Sequence, residues 1–350
     1  MNTRRRGDDE HGIALLIVLL TITLLTVIVV EFTQSAEVEM HFAISHRNAL
    51  QAFYLARSAV NVAEALLVAD AQLNHTDSDD DLWARPWPPL PVGDGTAAFR
   101  VQDEGRRLNI NSMVVNGDYN RQRKIFARLF RILGIDDRVR AAIIDWIDDD
   151  LDPQTDPPGA EQPFYLGLTP PVFVRNAPML TMRELLQVRG MTPTLLARLE
   201  EFVTVLPRDV FKVNVNTAPA EVLYALSDGL TADPGVVDRL IAARRAAAIT
   251  TISELGDVTG FLQALADKGT GNDNKDLLDV KSAYFRIDAA GEVNDVIRGI
   301  TTTVGRDVGV VGLKHRVQRI TWAPSTANLS LTSRPPSDFL QTLPPLGGQT

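Results

Sequence analysis

The chain's most extended apolar run is IALLIVLLTITLLTVIVV, from Ile13 to Val30, interrupted by threonines but by no charged residue. At about 1.5 Å per residue, a helix of this length spans roughly 27 Å, which matches a bilayer core. From Glu31 to Asp70 there is neither proline nor glycine, and Ala52, Leu55, Ala56, Ala59, Ala63, Leu66 and Leu67 recur at spacings of three and four. That recurrence is one apolar stripe of an amphipathic helix. Together the two stretches predict one continuous helix over 13–72. Glu37, Glu39, His41, His46 and Arg47 make its middle polar enough to stand in solvent or against neighbours.

A turn-rich stretch, NHTDSDDDLWARPWPPLPVGDGT, stops this helix. Ala98, Arg100 and Gln102 then alternate with Phe99 and Val101, and Glu104-Gly105 supplies a turn before Leu108 and Ile110 resume the alternation, which predicts a hairpin. Ile125, Phe126, Leu129, Phe130 and Leu133 predict one helix, and Val139, Ile143, Ile144 and Ile147 another. Farther on, LTMRELLQVRGMTPTLLARLEEF and APAEVLYALSDGLTADPGVVDRLIAARR each predict two short helices across a turn. The phrases LNINS (108–112) and VNVNTA (213–218) are similar, and Asn111-Ser112 and Asn216-Thr217 are placed to bond nearby amides and cap the helices that follow. Near the C-terminus, SAYFRID, VIRGITTTVGRD, a Gly-rich turn and KHRVQRITW predict a β-meander. The last residues are rich in Pro, Ser and Thr and predict disorder.

What precedes Ile13 changes the picture. Arg4, Arg5 and Arg6 orient the apolar helix with its N-terminus inside. A signal peptide has a small-residue cleavage site after its apolar run. Here Val30 passes directly into Glu31, Phe32, Thr33 and Gln34 with no such site, so a processing point is expected before the run rather than after it. The alternative is an ordinary single-pass anchor. Both place the remainder outside the cytoplasm. With 350 residues and 45% hydrophobic content, the chain can bury one large or two moderate cores beyond this helix. It contains no cysteine, which excludes disulfides, thiolate metal sites and a cysteine nucleophile. A net charge of −9 disfavours a polyanionic ligand.

The densest chemistry is DWIDDDLDPQTDPPGAEQPFY, 145–165. Its carboxylates lack nearby cations of matching number, and such groups repel one another unless solvated or bridged by a hard cation such as calcium. Asp148, Asp150 and Asp152 fit the first three ligand positions of an EF-hand, but Pro153 stands where its glycine belongs and Gly159 where its closing glutamate belongs. The segment is therefore not an EF-hand, and a solvated acidic loop is the plainer alternative. A second acidic loop, with Asp273, Asp276 and Asp279, is offset by Lys275 and Lys281.

The short polar leader ending at Gly12, with Ile13 next, resembles the prepilin leader of type IV pilins and type II secretion pseudopilins. The order of leader, apolar helix, LNINS, DWIDDD with GAE and Tyr165, VNVNTA and SAYF resembles the minor pseudopilin K family of type II secretion over nearly all of the ordered chain. Most pilin-like subunits carry glutamate at the fifth mature position, where this chain has Ile17, and the size and the missing glutamate both point to that member. The resemblance implies an α+β fold: a pilin-like long N-terminal helix packed on an antiparallel sheet, with a large inserted α-helical domain containing helix-hairpin-helix-like units. The implied division is leader 1–12, transmembrane and stalk helix 13–72, first part of the pilin-like domain 73–117, inserted helical domain 118–280, final strands 281–322 and tail 323–350. It also implies processing between Gly12 and Ile13 by prepilin peptidase, an inner-membrane anchor with a periplasmic head, and minor pseudopilins I and J as partners. Calcium is implied in the helical domain, with Asp145, Asp148, Asp149, Asp150, Asp152 and Glu161 as candidate ligands.

Two other classes are weighed. VNVNTAPAEVLYAL also resembles the opening of a competence DNA-receptor domain, so an anchored helix-hairpin-helix DNA-binding protein is the rival. A phosphate-binding hairpin needs backbone amides with Lys or Arg beside them, whereas SDGLTADPGV brings two aspartates and the helix after VRGMTP carries Glu200 and Glu201. No nucleic acid is expected. A type IV pilus minor pilin of similar anatomy is a further alternative. No GxSxG, HExxH, Walker or GxGxxG pattern occurs, so no catalytic residue is assigned and no enzyme is expected.

Overall fold

Helix α1, Arg6–Leu73, runs unbroken through Gly12 and out of the apolar segment. The computed structural model describes residues 6–114, 119–266, 274–306 and 317–325. Every residue from Gly12 to Arg47 is exposed. The threonines of the apolar run hide their hydroxyls along the helix: Thr23 donates to the Leu19 carbonyl at 2.8 Å and Thr26 to that of Ile22 at 2.7 Å. A hydroxyl satisfied in this way is tolerated where no water is available. The second half of α1 buries the expected stripe, with Ala52, Ala56, Ala59, Ala63 and Leu67 fully covered and Leu55 and Leu66 partly so.

Beyond α1 the chain forms β1 (Leu90–Val92), β2 (Gly95–Asp103) and β3 (Leu108–Asn109), then α2 (Tyr119–Ile132), α3 (Asp137–Ile147), α4 (Gln162–Leu166) and α5 (Pro193–Leu199). Strands β4 (Val203–Thr204) and β5 (Val213–Asn214) follow, then α6 (Ala220–Ala225), α7 (Asp228–Ala232), α8 (Pro234–Ala246) and α9 (Phe261–Leu265). The described chain closes with β6 (Leu278–Asp279), β7 (Tyr284–Val293), β8 (Val296–Arg306) and β9 (Val317–Ser325). Among the described residues β1, β2, β7, β8 and β9 make one antiparallel sheet in that order. One face lies on α1, with Phe99, Val101, Phe285, Ile287, Ile300 and Val304 meeting the alanine stripe. The approach is close because Gly291 faces α1: a Cβ there would stand 2.1 Å from the Ala52 carbonyl oxygen. Trp83 closes the end of this core edge-on against Phe285, ring centres 5.1 Å apart.

The helices between β2 and β7 have a separate core. Phe126, Leu129, Phe130, Ile143, Trp146 and Tyr165 pack in it with Leu199, Leu223, Leu240 and Phe261 from the later helices. The unit begins before α2, since β3 pairs in parallel with β4 and β5 with β6.

Three expectations change. No hairpin joins 98–102 to 108–110: β2 gives its long edge to β7, with nine residue pairs, while Asp103 accepts the Gly105 amide and turns the chain into the helical unit. The Asn-Ser and Asn-Thr pairs do not cap helices. Asn111 reaches Met179 and Leu206, and Asn216 reaches both backbone groups of Ile249. Asparagine amides offer donor and acceptor together, so each serves as a strut between distant loops. The third change is at the last strand, which extends to Ser325, into the stretch expected to be tail. The expected Gly-rich turn within 307–316, the leader's first residues 1–5, Asp273 and the tail from 326 lie outside the described residues.

Candidate metal centre

The acidic segment begins at the end of α3. Asp136 caps that helix by accepting the Arg138 amide at 2.9 Å, and its buried face carries Ala142, Ile143, Trp146 and Ile147 into the core. That packing fixes the last turn, so Asp145 and Asp148 are held on the protein side with 0% and 5% exposure. The chain then loops out and returns at Gly159-Ala160-Glu161, where Glu161 starts α4 by accepting the Gln162 amide at 3.1 Å. Tyr165 on α4 stands edge-on to Trp146, ring centres 5.2 Å apart, and its hydroxyl accepts the Arg189 amide at 3.1 Å. These contacts bring the two ends of the segment together.

Asp148, Asp150 and Glu161 each offer a carboxylate oxygen within 4.8 Å of the other two. Oxygens around one calcium, each at about 2.3–2.6 Å, are separated by comparable distances. Asp145 joins them from the helix. Its Oδ1 accepts the Gln154 amide at 3.0 Å, while its Oδ2 is buried without a partner. Asp148 Oδ1 and Glu161 Oε1 are orphaned in the same way. Gly159 is required here, because a Cβ would sit 2.0 Å from Asp145 Oδ2. Arg123 lies 3.9 Å from Asp148, too little positive charge for the cluster. Burial, then repulsion from Asp150, Asp145 and Glu161, pushes Asp148 up to about 7; burial likewise raises Asp145 and Glu161. Several buried orphaned carboxylate oxygens suit a hard divalent cation.

Two of the six candidate ligands lie outside this trio and its neighbour. Asp149 is exposed and faces Arg208, 2.9 Å away, which holds its carboxyl below the usual range. Asp152 is exposed, and its amide donates to Asp150. A residue the pattern did not suggest is Asn176, which adopts a left-handed backbone (φ +45°), donates to the Asp150 carbonyl, and keeps a buried, unpartnered Oδ1. Its sole sequence signal is the left-handed tolerance of asparagine, and no spacing rule links it to Asp150. In the second acidic loop, Arg121 takes Asp276 at 2.7 Å and Lys212 takes Asp279 at 3.1 Å. Gly12 lies inside α1 with open space around it, and Ile13 beside it is exposed.

A long helix with an exposed apolar first half, laid on an antiparallel sheet that carries a helical insertion, defines a pilin-like subunit whose first helix is long and apolar enough to cross a membrane. Residues 106–208 and 213–281 each match a family model described as type II secretion system (T2SS), protein K. The chain is 32% identical over 307 residues to the type II secretion system protein K of Aeromonas hydrophila, covering 83% of this chain and 90% of that one. It is 28% identical to the Pseudomonas aeruginosa protein of the same name, covering 86% and 90%. A chain in the crystal structure of the GspK-GspI-GspJ complex from enterotoxigenic Escherichia coli shares the fold, with a TM-score of 0.65 at 19% identity, covering 81% of this chain and 99% of that one. This protein belongs to the type II secretion system protein K family.

Proposed function

We propose that this chain is a minor pseudopilin at the tip of the type II secretion pseudopilus, where it initiates or caps assembly with minor pseudopilins I and J and supports protein export across the outer membrane. Family membership over nine-tenths of a relative's length carries the reading. The similarity to a chain of a GspK-GspI-GspJ assembly supports the choice of partners. Prepilin peptidase would cut between Gly12 and Ile13, leaving Ile13 to Val30 in the inner membrane until extraction and the head in the periplasm. The exposed stalk from Glu31 to Arg47 is free to pack on neighbouring stalks, while the helical unit makes the head too bulky for a repeating filament subunit. The role is structural rather than catalytic.

Calcium belongs to the same proposal. Asp145, Asp148, Asp150 and Glu161 would hold it, and it would supply the positive charge that Arg123 alone does not. The proposed place is tested by gold-labelled antibody against the helical unit on isolated pseudopili, together with the mass of the mature N-terminus. Label at one filament end and a chain starting at Ile13 are expected. Label along the filament, or a retained leader in peptidase-positive cells, would overturn it.

A further inference from the structure

The chain enters the helical unit after β2 and leaves it before β7, and both crossings meet at one buried polar network. Arg306, at the end of β8 and 4% exposed, holds Asp70 of α1 at 3.4 Å and also pairs with Asp77 of the following loop. It donates to the Ser282 carbonyl at 3.0 Å and lies 4.7 Å from the centre of the Phe285 ring. Asp103, ending β2, accepts from the Asn214 side chain at 3.0 Å and the Thr217 hydroxyl at 2.5 Å, both on the helical unit. Asn214 also donates to the Asp77 carbonyl and the Ser282 hydroxyl, and the Ser282 amide donates to Asp77. This one set of bonds therefore ties the stalk, the sheet and the helical unit.

Its charges do not balance. Asp70, Asp77 and Asp103 are buried, half-buried Asp81 adds a fourth carboxylate, and Arg306 is the guanidinium among them. Of the other charged groups nearby, Glu104 is paired with Arg107 at 2.6 Å and Asp279 with Lys212 at 3.1 Å, while Asp79 feels Arg106 and Arg244 but is still raised because burial outweighs them. From the helical unit itself, the side chains touching Asp103 are neutral. We propose that this network is a proton-operated latch: protonation of its surplus carboxylates tightens the helical unit on the stalk-and-sheet body, and their ionisation loosens it.

The direction follows from the carboxyls. Burial, reinforced by Asp81 and Asp77, raises Asp70 from 3.8 to about 6, against the pull of Arg306. Burial raises Asp103 to about 6, against the hydrogen bonds of Ser282 and Thr217, and Asp77 also rises because burial outweighs Arg306. A carboxyl whose folded value exceeds its unfolded one stabilises the protonated fold. That stability is full below about 3.8 and is lost as pH rises through about 6. The latch closes in mildly acidic surroundings and slackens at neutral pH.

Hydrogen exchange of the full chain in detergent, corrected for the intrinsic pH dependence of exchange, tests this at 104–108 and 278–283. Protection there should be about tenfold or more higher at pH 5 than at pH 7.5, since a carboxyl that titrates one pH unit higher in the closed latch favours closure by a factor of about ten. Asp103→Asn, which keeps an acceptor and removes the charge, should give high protection at both pH values; Asp70→Asn serves if that variant fails to fold. Equal protection of the wild type at both pH values, or undiminished pH dependence in the Asn variants, would overturn the latch. So would a gain of protection from added calcium at pH 7.5 in Asp148→Ala with Asp150→Ala, since the junction would then be a cation site.

Discussion

The two halves of the helical unit are built on one frame but close their charges differently. In the first half a short strand leads into Asn111, which braces Met179; in the second, an equivalent strand leads into Asn216, which braces Ile249. Each braced residue precedes a 3-10 turn with a glutamate at its start, Glu184 or Glu254, then a glycine at φ +83°, Gly190 or Gly260, then a helix and a strand parallel to the first. Between strut and turn the halves part. The second inserts α7 and α8, whose side chains Arg239 and Arg244 donate to the carbonyls of Thr259, Val215 and Ala218. The first inserts the acidic loop, with buried carboxylate oxygens that no donor reaches. The frame thus supplies the fold, and the segment between its fixed points is where one half closes with its own arginines while the other keeps buried carboxylate oxygens without partners.

The largest effect should come from breaking the frame. Asn111→Ala leaves the Met179 amide and the carbonyls of Met179 and Leu206 buried without partners, whereas Asn216→Ala orphans the two backbone groups of Ile249. At about 1–3 kcal/mol for each unpaired buried group, the first change should cost roughly 3 kcal/mol or more and the second about 2. Segment-resolved hydrogen exchange on the full chain reads the halves separately. Asn111→Ala should loosen residues 108–206 and leave 213–279 protected. If both halves loosen equally, they are one cooperative unit and the comparison fails.

Much of this is legible in the chain, and the rest escapes for identifiable reasons. Periodicity suffices for α1, α2, α3, β7 and β8, because each buries a regular face on a single layer, and alternation alone marks the edge strand β9, none of whose residues is buried. The similarity of LNINS and VNVNTA is visible as text, but the struts are not, since Asn111 bonds a residue 68 positions away and Asn216 one 33 away. The turn of the second half also differs from the one that helix periodicity suggests. The structural counterpart of Val188-Arg189-Gly190 is Val258-Thr259-Gly260, identified by the shared left-handed glycine, rather than the aspartate-containing turn before α8. In the acidic loop, the composition marks the place. Only tertiary packing separates Asp145, Asp148, Asp150 and Glu161, drawn together by Trp146 and Tyr165, from Asp149, which turns to Arg208.

The next effect concerns the charge difference itself. Calcium at a hundredfold excess over its Kd should stabilise a site it occupies by about 2.7 kcal/mol. In the full chain, exchange should slow around 145–176 and leave 213–265 unchanged, and Asp148→Ala with Asp150→Ala should abolish the response. A stabilisation spread evenly over both halves, or one that survives the double substitution, would mean that calcium does not act at this loop.

The smallest effect tests how alike the two frames are in detail. Glu184 accepts the amides of Leu180 and Thr181 at 2.8 and 3.0 Å and is also 3.3 Å from Arg175; Glu254 accepts the Thr250 amide at 3.0 Å and the hydroxyls of Thr250 and Thr251. Both carboxylates satisfy amides at the start of a turn, a role worth typically about 1 kcal/mol. Glu184→Ala removes two amide partners where Glu254→Ala removes one, and Arg175 is exposed enough that its pairing adds little. A melting-temperature loss of a few degrees is expected for each variant, slightly larger for Glu184→Ala. A much larger loss at Glu184, present with calcium and absent with a chelator, would show that the first frame is held by its metal rather than by its caps.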